Sequence, residues 1–114
     1  MDEFASLVLS LPGVWEGERL EELHELLMPA YEREIFVLDL RETVFLGDAI
    51  LDAFMEMESY RSVTMRCHPT RVVVTSRHLK CVLQLASLDQ TFEIYATLPE
   101  ALLASFKIAE QEAR

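Results

Sequence analysis

Leu38-Asp39-Leu40-Arg41-Glu42-Thr43-Val44-Phe45-Leu46-Gly47-Asp48-Ala49-Ile50-Leu51 is the stretch whose reading decides the fold. With Ile35, Phe36 and Val37 before it, the run to Leu40 is almost continuously apolar. A strand of that kind is covered on both faces, as a central strand of a parallel sheet is. Arg41, Glu42 and Thr43 make a polar break, and Val44, Phe45 and Leu46 return to the interior. Gly47 permits a turn. Asp48 is placed to cap the helix that follows, because a short carboxylate accepts from free amides at a helix start. Ile50, Leu51, Phe54, Met57 and Tyr60 then recur at helical spacing, so this helix is expected to run from Asp48 to about Val63.

Working outward, Ser6 to Leu11 is a short strand candidate, broken by Pro12 and Gly13. Residues 17–31 carry Leu20, Leu23, Leu27 and Ala30 or Tyr31 at steps of three and four, with Glu18, Glu21, Glu22 and Glu25 on the other face. That pattern is a core-packed helix with a solvated acidic face, its acids at the positive end of the dipole. Val72, Val73 and Val74 are a β-branched strand. Ser76 caps a helix over 77–86, with Leu79, Val82, Leu83 and Leu85 inward. Phe92 to Tyr95 is a short strand. Thr97-Leu98-Pro99-Glu100 is a capping box opening a helix over 98–110, and the tail 110–114 is expected to fray. Strands thus alternate with helices. The fold class is α/β, a central, mainly parallel sheet of four to five strands with about four helices in one domain over 1–114.

Composition narrows the function. Twenty Asp and Glu against ten Lys and Arg give −10 over 114 residues. This argues against a nucleic-acid backbone or an anionic membrane as main partner. The cations that a local basic patch would use are Arg61, Arg66, Arg71, Arg77 and Lys80. No apolar run approaches the roughly 20 residues that span a bilayer. The start, Met1-Asp2-Glu3-Phe4, lacks the basic opening of a signal peptide. With two cysteines there is no disulfide framework, and a reducing cytoplasm is the expected location.

No constellation for catalysis or metal binding emerges. Asp39, ending an apolar strand, has the position of a metal or phosphate ligand. No second carboxylate or glycine-rich loop accompanies it, so hydrogen bonds to loop amides are the favoured role. Cys67, His68, His78 and Cys81 match no zinc spacing, and a Cys–His pair lacks a third orienting group. His24, among glutamates, is a surface residue. There is no dinucleotide fingerprint, Walker loop or nucleophile elbow. No cofactor and no metal are expected, and the chain is read as not an enzyme.

Two stretches together resemble the STAS domain, the fold of bacterial anti-sigma-factor antagonists. Leu38 to Leu51 aligns without a gap on that family's strand ending in Leu-Asp-Leu, an apolar pair, Asp-Ser-Ser-Gly and a Leu opening a helix. Val72-Val73-Val74, Val82 to Asp89, Phe92 to Tyr95 and Thr97 to Leu102 follow the order of its closing half. The resemblance covers residues 7–103. Where many relatives show two strands before the first helix, one is evident here. At the four positions of Asp-Ser-Ser-Gly stand Gly47, Asp48, Ala49 and Ile50, so the phospho-acceptor position holds Ala49, which has no hydroxyl.

The resemblance implies a bacterial, cytoplasmic, non-catalytic domain that binds a protein partner, an anti-sigma Ser/Thr kinase or a sigma regulator. The implied surface is Gly47, Asp48, Ala49, Ile50, Asp52 and Ala53, with neighbouring parts of the 77–86 helix. It does not imply a phosphorylation switch at Ala49. Asp48 is either a fixed negative charge imitating the phosphorylated state or simply a cap. Two other roles remain open: a small STAS subunit bracing the ATPase of an ABC-type lipid transporter, and a domain sensing a small molecule or lipid.

Overall fold

A computed structural model of the chain describes residues 6–65 and 68–104. Ser6–Ser10 forms β1 and, after a turn, Gly13–Trp15 forms β2. Gly13 makes this turn with φ of 90°, a conformation L side chains rarely adopt. Leu20–Leu27 is α1, entered through a 3₁₀ turn at Gly17–Arg19 and left through another at Met28–Glu32. Pro29 explains the exit, because it has no N–H for the next α-helical bond and the chain tightens. Ile35–Asp39 is β3, Thr43–Leu46 is β4 and Asp48–Tyr60 is α2, which ends in a π turn over Arg61–Met65. Arg71–Val73 is β5, Arg77–Leu85 is α3 and Glu93–Tyr95 is β6. Residues 98–104 form α4.

The main sheet is four-stranded and wholly parallel, in the order β1-β3-β5-β6. Every residue of β3 is buried, as its unbroken apolar run requires. Leu38 and Leu40 join the larger core cluster with Phe54, Met57, Leu79 and Leu83, while Val37 packs with Val73 and Ala101 of α4 on the opposite face. Ser76 caps α3 by accepting from the Leu79 amide at 3.2 Å. Thr97 accepts from the Glu100 amide at 3.3 Å and donates to its carboxylate at 2.9 Å. The end of the expected 98–110 helix beyond residue 104 and the tail 110–114 lie outside the described residues.

Several expectations are corrected. Two strands, not one, precede α1, and the second pairs in parallel with β4 as a separate two-stranded ribbon. Three residues of β2 are too few for an alternating pattern to show. Of β4 only Thr43 and Leu46 are buried; Val44 and Phe45 face outward. Leu85 is 88% exposed, because the inward stripe of α3 is set by Leu79 and Leu83 and Leu85 falls opposite it. Tyr60 is half exposed. There is no basic patch built on Arg61 and Arg71: both are buried. Arg61 is paired with Glu58, and the Arg71 Nε lies 3.6 Å from the Glu93 carboxylate.

Candidate functional site

The β4–α2 junction sits at the carboxyl end of the sheet, and the segment 11–19 braces it from behind. Gly13 N donates to Glu42 O at 2.9 Å, Thr43 Oγ1 donates to Leu11 O, and Gly47 N donates to Trp15 O at 2.8 Å. Trp15 is buried and fixed twice: its indole N–H donates to Pro12 O at 3.1 Å, and the Arg19 guanidinium lies 3.5 Å from its ring centroid. Arg19 also grips both oxygens of Glu22 at 3.0 and 3.1 Å and donates to Val14 O at 2.8 Å. That contact raises the Arg19 pKa and lowers that of Glu22. Sequence reasoning missed this brace. An aromatic and a cation four residues apart was the available signal.

Asp39 is the second brace. Its carboxylate accepts from the Arg41 amide at 3.1 Å, from Arg41 Nε and Nη2 at 2.9 and 2.8 Å, and from Ser10 Oγ at 3.3 Å. The Arg41 guanidinium is the main cause that holds the Asp39 pKa below the usual carboxylate range. The structural role read from the sequence therefore describes this residue, with the guanidinium adding to the loop amide. A folded-state pKa below the unfolded one contributes stability above the unfolded value of about 3.9, lost as the pH falls through the lower folded value. Urea midpoints measured between about pH 5 and pH 2 should therefore fall less steeply in Asp39→Asn than in the native chain. Equal slopes would show that Asp39 titrates as it does in the unfolded chain.

The helix start itself differs from the expected cap. Gly47, not Asp48, is the N-cap, with φ of −79° and ψ of 168°, extended backbone that any residue adopts. Its carbonyl accepts from the Ile50 and Leu51 amides at 3.1 Å. Asp48 is exposed in the first turn, and no side chain caps the helix. Its contribution reduces to charge against the helix dipole, so Asp48→Ala should lower stability by only about 0.3–1 kcal/mol in a thermal or urea melt, an amount that added salt diminishes. A larger loss would mean that Asp48 makes a contact the helix dipole does not supply.

The six expected site residues divide by depth. Asp48 and Asp52 are exposed, Gly47 and Ala49 are half-buried, and Ile50 and Ala53 are buried beneath them in the core. A Cβ at Gly17 would stand 3.9 Å from that of Ala49, so the 3₁₀ turn before α1 flanks this position. On the other side, Phe45, Asp48 and Leu51 face His78, Val82 and Leu85 of α3 across a hollow of about 330 Å³. Phe45 is 40% exposed there. Cys67 lies outside the described residues, and Cys81 is an exposed free thiol. Among the described residues no three His, Cys, Asp or Glu side chains converge as a metal site would need, and no helix is long and apolar enough to cross a membrane.

Comparison with solved structures bears on this arrangement. An anti-sigma factor antagonist from Mycobacterium paratuberculosis superposes with a TM-score of 0.76 at 25% sequence identity, over 92% of this chain and 89% of that one. The chain has the fold of an anti-sigma factor antagonist. The STAS architecture thus spans nearly the whole chain, and the β4–α2 junction with its flanking helices belongs to that architecture. No family model and no curated protein matches the sequence.

Proposed function

We propose that this is a non-catalytic regulatory STAS domain that binds a protein partner through the start of α2. The reading rests on the likeness, across almost the full chain, to an anti-sigma factor antagonist, a protein that acts on another protein. The surface offered to the partner is Gly47, Asp48, Ala49 and Asp52. Ile50 and Ala53 support it from below, and the Phe45–Leu85 hollow extends it. The partner is an anti-sigma Ser/Thr kinase or a sigma regulator. The Ala49 methyl offers no hydroxyl for phosphoryl transfer, so binding is constitutive or controlled elsewhere. A carboxylate carries less charge and fewer acceptor oxygens than a phosphate, so Asp48 is a weak imitation of a phosphorylated neighbour.

Affinity capture with the tagged chain and an Ala49→Arg variant tests this. Because Ala49 is half-exposed, arginine there should leave the fold intact, checked by thermal melting. The expected result is recovery of an ATP-binding Ser/Thr kinase or a sigma regulator by the native chain, weakened at least about 100-fold in the variant, as a bulky charge in an interface centre commands. Recovery of an ABC ATPase in its place would shift the assignment to a transporter-bracing subunit. Equal recovery by both forms would remove the α2 start from the interface.

A further inference from the structure

A second surface runs away from Ala49 along the seam between α1 and α2. Its first part is a hollow of about 190 Å³, lined on the α2 side by Ala49, Asp52 and Glu56 and on the α1 side by Leu20 and His24. Its second part is a cleft of about 660 Å³ lined by His24, Met28, Tyr31, Glu32 and Tyr60. His24 lines both and stands between them. Ala49, Asp52, Glu56 and Tyr60 lie on one face of α2 at steps of three and four, and across the seam stand Leu20 and His24 of α1 with Met28 and Tyr31 of the 3₁₀ turn that follows it. From Ala49 to Tyr60 the groove is about 16 Å long at 1.5 Å per residue.

Its chemistry is of one kind. At the far end the Tyr31 and Tyr60 rings meet with centroids 5.0 Å apart, tilted by 47°. Met28, 67% exposed, supplies an adaptable apolar wall. Asp52, Glu56 and Glu32 are the charged groups that line it, and among the described residues no lysine or arginine does. Burial first, then the Glu56 charge and Tyr60, raise the Tyr31 pKa. Apolar and aromatic surface spaced along three turns, edged by carboxylates, matches an amphipathic helix whose polar edge is cationic. An arginine or lysine head beside the tyrosine faces would gain cation–π attraction in addition to the carboxylates.

We infer that the α1–α2 groove, from Asp52 to the Tyr31–Tyr60 pair, is a docking site for a basic amphipathic helical segment of a protein partner. This rests on the protein-binding reading above and adds the chemistry of the partner. The groove starts at the surface that reading uses, so a single segment is able to engage both.

The test is calorimetric titration of the full chain with a synthetic peptide of about 14 residues, leucine and arginine at helical spacing, long enough to fill the groove. The same peptide with glutamate for arginine, and tetramethylammonium chloride, serve as controls. Saturable one-to-one binding is expected, weakened about tenfold or more by Glu56→Lys and by Tyr60→Ala, and by less than about twofold by Asp89→Lys, which makes the same charge change outside the groove. Glu56 and Tyr60 are exposed, and melting curves will establish that both variants fold. No binding up to about 1 mM, equal weakening by Asp89→Lys, or equal binding of the glutamate peptide overturns the inference. So does tetramethylammonium saturating the site with the same sensitivity to Tyr60→Ala, which would make it a free-cation site. If Ala49→Arg abolishes partner capture while Glu56→Lys and Tyr60→Ala leave it unchanged, the α2-start reading stands and this one fails.

Discussion

Arg61→Ala is expected to destabilise the fold by about 3–5 kcal/mol, a large share of the roughly 5–15 kcal/mol that holds a domain together. Arg61 is 0% exposed, and each guanidinium nitrogen is occupied. Nε donates to Ala30 O at 3.0 Å. Nη1 donates to Glu58 Oε1 at 3.1 Å, Thr70 Oγ1 at 2.8 Å and His68 O at 3.3 Å. Nη2 donates to Arg33 O at 3.0 Å and Glu34 O at 3.2 Å. The side chain ties the end of α2 to the 3₁₀ turn before β3 and to the approach to β5. Glu58 completes the unit by accepting from the Thr70 amide at 2.8 Å and from its hydroxyl. Removing the arginine leaves a buried carboxylate without its cation and several carbonyls without donors, each a desolvation cost.

In urea this should appear as a fall of roughly 2–3 M in the midpoint, for an m-value near 1.5 kcal/mol/M. Arg61→Lys should recover little, because an ammonium cannot reproduce the planar fork. The double variant Arg61→Met with Glu58→Met should lose less than the two single changes summed, since it removes both charges together. What loss remains measures the abandoned carbonyls. A shift below about 1 kcal/mol for Arg61→Ala would mean that water replaces the guanidinium without penalty.

Ile50→Ala should cost about 2–5 kcal/mol, the range for emptying a fully buried aliphatic site. Ile50 is adjacent to Ala49 and was expected, from the resemblance, on the same partner-binding surface. It is fully buried in the larger core cluster, to which Trp15, Leu46 and Phe54 also belong. Its loss should therefore lower the melting temperature by well over 5 °C in a domain of this size, with the emission of the single tryptophan, Trp15, reporting the unfolding. Ala49→Arg should show the opposite pattern, an unchanged melt and a lost partner. If Ile50→Ala melts like the native chain yet fails to capture a partner, the residue faces outward in solution and the division of the site by depth is wrong.

These two predictions show where sequence pattern stops being informative. The apolar stripe of α2 passes through Ile50, Phe54, Met57 and position 61, and a charged pair at spacing i, i+3 falls on its inward side as Glu58 and Arg61. Read locally, Arg61 is one more surface cation near Arg71 and Lys80. Its burial depends on carbonyls from residues 30, 33, 34 and 68, which are remote in sequence. The short strand β2 escaped notice for a related reason, because its three residues become a strand through pairing with β4. Leu85 and Val44 were placed inward on hydrophobicity alone, and a lone apolar residue on a surface is ordinary.

The sequence by itself determined the alternation of strands and helices in the main sheet, the central parallel strand at 35–39, the α2 stripe, the Ser76 and Thr97 caps and the place of the β4–α2 junction. Each follows from spacing or capping chemistry that acts over a few residues, and such local preferences survive whatever surrounds them. Only the tertiary structure decided that Gly47 rather than Asp48 caps α2, that Ile50 and Ala53 lie below the surface that Ala49 and Asp52 occupy, that Trp15 and Arg19 brace the loop, and that Arg61 is a buried clamp. Burial and pairing are set by which distant segments arrive beside a residue, and no local period encodes that arrival.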